Sequence, residues 1–187
     1  MPPQIALSLW FVLLLALLYK DPAKVKGTSA ALWIPVIWIF ILGSRLPSQW
    51  LGGGVREASQ ALEEGNPTDR AIFTLLMLVA LVVLVSRKFN WSAFLTRNLS
   101  LTIFLAFAAI SFVWSDFPLV AIKRWFRDFG NYLVILVALS EKDPLEGVRA
   151  VLRRFAYLIV PLSIVLIKYF PQLGKQYSVW TGEASFI

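Results

Sequence analysis

Residues 114–128 read WSDFPLVAIKRWFRD and join two long apolar segments of the chain. Between Lys123 and Asp128 they contain three cations, two aromatic side chains and one acid, in a chain that is otherwise mostly hydrocarbon. We predict that a helix begins here, with Asp116 as its N-cap and Pro118 in its first turn, where proline is tolerated. Polar chemistry in this protein is therefore expected at this helix.

Helical periodicity gives the predicted helix one charged face and one apolar face. At 3.6 residues per turn, an arc of roughly 140° holds four charged side chains: Lys123, Arg124, Arg127 and Asp128. Asn131 lies one turn beyond Arg127 on the same side. The opposite side is apolar and consists of Ile122, Trp125, Phe126, Phe129, Leu133 and Leu136. Arg124 and Asp128 have the spacing of a helical ion pair, which leaves Lys123 and Arg127 in excess.

Because the apolar part of this predicted helix is short, we expect the charged turn to lie at a membrane boundary. Residues 129–140 are uncharged, but they are fewer than the ~20 residues that a bilayer-spanning helix needs. The helix must therefore recruit the charged residues upstream. Two interpretations follow: the cations reach lipid headgroups as ordinary interfacial charges, or they form an anion site.

Composition places the chain among integral membrane proteins. Of its 187 residues 58% are hydrophobic and the mean hydropathy is +0.71, whereas soluble domains are typically ~45–50% apolar. The absence of cysteine and histidine excludes disulfides and removes the usual general base and the commonest metal ligand. We expect no metal and no cofactor. The net charge of +7 is not gathered into one basic module, so no nucleic-acid partner is expected.

Hydropathy predicts an all-α fold: a polytopic transmembrane helical bundle forming a single membrane-embedded domain over residues 1–187. About six spans are expected, near residues 2–19, 28–44, 71–86, 98–115, 117–140 and 155–168. The connections 45–70, 87–97 and 141–154 are predicted to be polar or charged loops, the first and the last each with a short amphipathic segment. Residues 52–54, a glycine triplet, lack the lysine of a phosphate-binding loop and are interpreted as a hinge. Residues 168–187 are predicted to be a polar, aromatic tail.

The distribution of cations predicts a topology with the N-terminus outside. In that orientation the inner connections hold ten of the 18 cations: Lys20, Lys24, Lys26, Arg87, Lys88, Arg97, Lys142, Arg149, Arg153 and Arg154. Lys123, Arg124 and Arg127 then lie on the outer side, against the usual bias. A phosphate-bearing ligand at the outer leaflet would account for them, because guanidinium groups pair bidentately with phosphate oxygens.

Two stretches carry a resemblance to a known family. Residues 110–139, ISFVWSDFPLVAIKRWFRDFGNYLVILVAL, resemble the middle of the N-terminal region of the O-antigen ligase and O-antigen polymerase superfamily. Residues 171–187, PQLGKQYSVWTGEASFI, are similar to the segment that enters the later half of that family. The branch most resembled is the O-glycosylation ligases associated with exosortase systems. The resemblance covers residues 110–187, while the first four spans match only in hydropathy.

The resemblance implies a multi-pass protein of the bacterial inner membrane, a metal-independent glycosyltransferase. Such an enzyme takes a glycan from an undecaprenyl-pyrophosphate carrier at the periplasmic face and passes it to an acceptor. Arg124 and Arg127 match the arginines that hold the pyrophosphate, with Lys123 beside them. Secondary contacts would come from Asn131, Asp128, Trp114 and Lys175. Asp128 would either orient Arg124 or simply neutralise it.

The same family comparison leaves the catalytic group unassigned. The family activates its acceptor with a histidine in a later periplasmic segment, and this sequence contains none. We therefore expect the chain to be the N-terminal portion of a longer enzyme and to be inactive alone. Trp114, Trp125 and Trp180 fit interface anchors or sugar-stacking platforms. Two other functions would use the same cations: a transporter or flippase of polyisoprenyl-linked glycans, and a non-catalytic membrane assembly protein.

Overall fold

The computed structural model describes residues 2–22, 27–51, 66–171, 175–177 and 184–186. Its α-helices are α1 (Pro3–Tyr19), α2 (Trp33–Gly43), α3 (Pro47–Trp50), α4 (Pro67–Ser86), α5 (Trp91–Arg97), α6 (Leu99–Ile110), α7 (Pro118–Leu139) and α8 (Pro144–Tyr169). Two 3-10 helices, η1 (Ala30–Leu32) and η2 (Ser111–Trp114), precede α2 and follow α6. The strands β1 (Lys175–Tyr177) and β2 (Ala184–Phe186) pair antiparallel, with Lys175 opposite Phe186. The predicted helical class is confirmed.

Fewer helices could span a membrane than the sequence predicts. Among the described residues, α4 and α8 are each long and apolar enough to cross a bilayer. A third span results if α5 and Leu99–Trp114 count as one, although a bend of 97° separates them. Pro3–Tyr19 and Ala30–Gly43 are apolar but shorter, and α7 carries four charged side chains in its first half. The six predicted spans coincide with helices, but length and composition do not support six crossings.

Two helices begin where an acid or amide precedes proline. Asn66 caps α4 by accepting a hydrogen bond from the Thr68 amide at 2.9 Å, and Pro67 is the first helical residue. Asp143 caps α8 by accepting from the amides of Leu145 and Glu146, at 3.1 and 3.2 Å. These caps satisfy amides that would otherwise lack partners at a helix start. They explain why both helices begin upstream of the predicted apolar spans.

Three loop predictions need correction. Residues 144–154 are the first turns of α8, because the Asp143 cap and ion pairs of Glu146 stabilise a helix there. Residues 91–97 form α5, and within the connection 45–70 residues 47–50 form α3. The glycine triplet at 52–54 lies outside the described residues.

The chain divides into two compact units. The first comprises Met1–Leu46 and Lys142–Ile187, and the second comprises Pro47–Glu141. In the first unit α8 packs against both α1 and α2. Gly43 permits the close approach of α2, since a Cβ there would lie 3.0 Å from Cζ of Phe155. The buried apolar residues of this unit include Leu32, Val36, Trp38, Ala150, Val151, Leu162 and Leu166. The single domain stays a prediction.

A buried ionic cluster joins the end of α1 to the first turns of α8. Asp21 is 2% exposed, and it accepts hydrogen bonds from Nε of Arg153 at 3.1 Å and from Nε of Arg154 at 2.7 Å. Arg153 also donates to Glu146 at 3.3 Å, and the Arg154 guanidinium lies 5.4 Å from the centre of the Trp33 ring. Buried carboxylates require such partners, because desolvation of an unpaired charge is costly.

The second unit is organised by α4 and α7, which pack along each other. Its core includes Met77, Ala80, Leu84, Leu133, Val134 and Val137. Arg87, at the end of α4, donates to the Val137 carbonyl at 3.0 Å and to Ser140 Oγ at 2.6 Å. Its ion pair with Glu141 has an N–O distance of 2.5 Å. Arg87 thus binds the carbonyl end of α7, where a cation is favoured by the helix dipole. This anchor fixes α7, whose other end carries the candidate site.

Candidate anion-binding site

The start of α7 positions the predicted cations. Pro118 is the first helical residue, as predicted, because a proline at this position loses no helical hydrogen bond. The predicted N-cap Asp116 is wrong by one residue: Phe117 is the N-cap and makes no side-chain capping bond. Instead, the Ser115 hydroxyl accepts from the Phe117 amide at 3.2 Å. Lys123 follows in the second turn of the helix.

The first half of α7 is exposed, whereas its second half enters the core. Lys123, Arg124 and Arg127 all have exposed side chains. The fully buried residues of α7 begin at Gly130 and include Leu133, Val134, Leu136, Val137 and Ala138. At 1.5 Å per residue, Arg127 lies about 20 Å along the helix axis from Ser140, against about 30 Å for a bilayer core. The cations therefore stand at the opposite end of α7 from the Arg87 anchor.

The ion pair on this face differs from the predicted one. Asp128 pairs with Arg127, Nε to Oδ1 at 3.9 Å, and not with Arg124 as the spacing indicated. Both side chains of the pair are about 60% exposed, so it contributes little to stability. By residue type this face carries three positive charges and one negative charge. An anion approaching from solvent or from a lipid headgroup layer meets this charge first.

Trp125 anchors the opposite side of the same turn. Its indole Nε1 donates to the Leu105 carbonyl of α6 at 3.2 Å. Its ring stacks on Phe129, with a centroid separation of 5.3 Å and an interplanar angle of 12°. The indole is therefore committed to holding α7 on α6, which favours an anchoring role over sugar stacking.

An apolar groove adjoins the cationic face. It has a volume of about 220 Å³. One wall consists of Ala108, Ala109 and Phe112, and the other of Ala121, Ile122 and Trp125. The groove exists because three of the six lining side chains are single methyl groups. On the helical projection Arg124 lies about 60° from Ala121, so a charged flank borders an apolar slot.

The remaining predicted site residues are dispersed. Trp114, in η2, packs its ring on Phe107 at 5.8 Å between centroids. Asn131 is half-buried one turn beyond Arg127. Lys175 belongs to the other unit, in β1, and its side chain lies outside the described residues, as does Trp180. Among the predicted site residues that the structure describes, Lys123, Arg124, Arg127 and Asp128 share one exposed face, and Asn131 follows one turn later.

The comparisons with known proteins add no relative. No protein-family model, curated protein or solved structure matches this chain. Among the described residues no group of three or more acids could hold a metal ion. What the site offers chemically is fixed positive charge beside hydrocarbon, an arrangement suited to an amphiphile with an anionic head.

Proposed function

We propose that this chain is the N-terminal part of an O-antigen ligase- or polymerase-like glycosyltransferase of the bacterial inner membrane. Arg124 and Arg127, with Lys123 beside them, bind the pyrophosphate of an undecaprenyl-linked glycan on the periplasmic side. The observation that carries the proposal is the exposed cationic flank of α7 beside an apolar groove. As the glycosidic bond to the carrier breaks, negative charge accumulates on the pyrophosphate. Fixed guanidiniums lower that barrier without a metal.

A six-span topology with an outside N-terminus belongs to the same proposal. Two side-chain ties are compatible with it, because each joins connections that this topology assigns to the same side. Asp21 binds Arg153 and Arg154, all assigned to the inner side, and Arg87 binds Glu141, also on the inner side.

A third tie lies within the connection 45–70. Asp69, in the first turn of α4, accepts from the Ser48 amide at 2.8 Å and from the Ser48 hydroxyl at 2.6 Å. Both residues are buried. They belong to a connection that the topology places on one face of the membrane, so α3 and the start of α4 lie at the same level.

Ligand binding tests the site directly. In phosphatidylcholine nanodiscs, the double variant Arg124→Ala/Arg127→Ala is expected to weaken binding of geranylgeranyl pyrophosphate by at least about tenfold, since each charge-assisted hydrogen bond contributes ~1.5–3 kcal/mol. Ala121→Phe, which fills the groove, should also weaken binding of geranylgeranyl pyrophosphate. It should leave binding of inorganic pyrophosphate unaffected. Microscale thermophoresis measures both ligands.

Two variants serve as controls for this binding experiment. Arg149→Ala removes a cation whose side chain is 69% exposed in the other unit. Ala106→Phe adds bulk to an exposed position of α6 that does not line the groove. Both should bind geranylgeranyl pyrophosphate as the unaltered protein does. Equal affinity of the double-alanine variant and the unaltered protein would refute the site.

Cysteine labelling tests the sidedness of α7. The chain contains no cysteine, so single substitutions label without background. Asp116 and Lys142, both exposed, flank the two ends of α7. In spheroplasts a membrane-impermeant maleimide should label Asp116→Cys at once and Lys142→Cys only after permeabilisation. The reverse order would invert the topology, and immediate labelling of both would show that α7 does not cross.

A further inference from the structure

The turn between α4 and α5 is built by backbone hydrogen bonds. The Lys88 amide bonds to the Val85 carbonyl at 2.9 Å, and the Phe89 amide to the Leu84 carbonyl at 3.0 Å. Lys88 has a φ of 52°, so these two bonds form the left-handed closure common at helix C-termini. The chain leaves α4 in a defined direction, and four residues separate its end at Ser86 from the start of α5 at Trp91.

The bend between α5 and α6 is equally well defined. Asn98 Nδ2 donates to the Phe94 carbonyl at 2.9 Å, and Thr102 Oγ1 donates to the Leu95 carbonyl at 3.0 Å. The Phe94 carbonyl also accepts from the Asn98 amide at 3.0 Å, whereas the Thr102 hydroxyl supplies a partner for the Leu95 carbonyl beside the 97° bend. If α6 and η2 enter a bilayer along its normal, α5 must lie nearly parallel to its surface.

The side chains of α5 are distributed as expected for a helix that lies along a membrane surface. Phe89 packs edge-on against Trp91, with ring centres 5.0 Å apart, and against Phe94 at 5.7 Å. In helical projection Trp91, Phe94 and Leu95 share an arc of about 100°, while Thr96 and Arg97 lie outside it. An apolar arc with aromatic residues beside a polar, cationic arc is the pattern of a helix lying in a membrane interface.

The segment around α5 is basic. Residues 70–115 contain four cations and no acid. Glu141 pairs with Arg87, whereas the exposed Lys88 and Arg97 form no ion pair with any described residue. Two cations thus flank the aromatic cluster at the two ends of α5.

We propose that α5 lies in the membrane interface and that Lys88 and Arg97 bind the headgroups of anionic phospholipids. The aromatic cluster anchors the helix at headgroup depth, and each cation near an anionic surface strengthens its binding there. This inference takes Leu99–Trp114 as the part of the bent pair that enters the bilayer and α5 as the part at its surface, and it does not depend on glycan binding at α7. Its partner is the lipid surface itself.

Depth measurements test the orientation of α5. With no native cysteine in the chain, spin labels are placed at Leu95→Cys and Thr96→Cys, both exposed positions. In nanodiscs of phosphatidylcholine and phosphatidylglycerol, the label at 95 should collide mainly with oxygen, and the label at 96 with a water-soluble nickel complex. Equal nickel accessibility at both positions would overturn the proposal, because α5 would then lie in water.

The lipid preference of α5 tests whether its two cations bind anionic headgroups. A fluorophore on Leu95→Cys should be quenched more strongly by doxyl-labelled phosphatidylglycerol than by doxyl-labelled phosphatidylcholine. In the variant Lys88→Gln/Arg97→Gln this preference should be lost. Lys142→Gln, an exposed cation outside α5, should leave it unchanged. An unchanged preference in the double variant, or an equal loss in the control, would overturn the headgroup assignment.

Discussion

Replacing Asp21 with alanine is expected to destabilise the unit formed by Met1–Leu46 and Lys142–Ile187 by about 3–5 kcal/mol. The carboxylate is the partner of two guanidinium groups, and Arg154 is itself only 5% exposed. Arg153 would keep Glu146, but Arg154 would lose its carboxylate. Its Nη1 is already buried without a hydrogen-bond partner among the described residues. Loss of the Asp21 carboxylate would remove the partner of Nε as well. The penalty is that of a buried, unpaired charge.

Equilibrium unfolding in mixed micelles, followed by circular dichroism, measures this loss. Asp116→Ala is the matched control, because it removes the same carboxylate from an exposed position and should change stability by no more than about 0.5 kcal/mol. If the two alanine variants unfold at the same denaturant concentration, the Asp21 cluster does not hold α1 to α8.

A double-mutant cycle separates the pair from its surroundings. Arg154→Met keeps an unbranched side chain on Trp33 but removes the guanidinium. Once Arg154 is gone, loss of the Asp21 carboxylate in Asp21→Asn should cost less than it does alone, with a coupling energy between ~0.5 and 3 kcal/mol. Additive effects would mean that the two residues do not interact in the folded protein.

The helices could be predicted because their signals are local. Each apolar run coincides with a helix, and Pro118 in the first turn of α7 follows from the geometry of proline. The early starts of α4 and α8 also have local signals in the sequence. Asn66-Pro67 and Asp143-Pro144 each place a capping residue before a proline, with an acid at the third helical position.

Pairings between distant residues could not be predicted in the same way. Asp21 and Arg154 are 133 residues apart, and nothing in a loop rich in lysine singles out this acid as buried. The ion pair of Asp128 shows the same limit at short range. Helical spacing favoured Arg124, but the side chains adopt a geometry in which Arg127 is the partner. On an exposed surface such pairs differ by fractions of a kcal/mol, so spacing alone does not decide between them.

The largest functional effect is expected at the cationic face of α7. Under the proposed transferase function, Arg124→Ala/Arg127→Ala in the full-length protein should reduce glycan transfer by at least about 100-fold, because loss of one oxyanion-stabilising donor typically costs 10²–10³ in rate. Transfer is measured as glycan mobility on gels of cell envelopes, and membrane insertion by the protein level in the same fraction. Arg149→Ala should transfer normally, since it removes an exposed cation from the other unit.

A conservative pair of substitutions distinguishes a phosphate site from ordinary interfacial cations. Lysine reaches lipid headgroups as well as arginine does, so Arg124→Lys/Arg127→Lys should be silent if the cations only position α7 at the membrane boundary. A pyrophosphate held bidentately loses hydrogen bonds when a guanidinium becomes an ammonium, and transfer should then fall well below normal although the charge is unchanged. Full transfer by the lysine variant would therefore favour the interfacial interpretation. If both variants lose transfer at normal protein levels, the planar guanidinium donors of Arg124 and Arg127 are required for transfer.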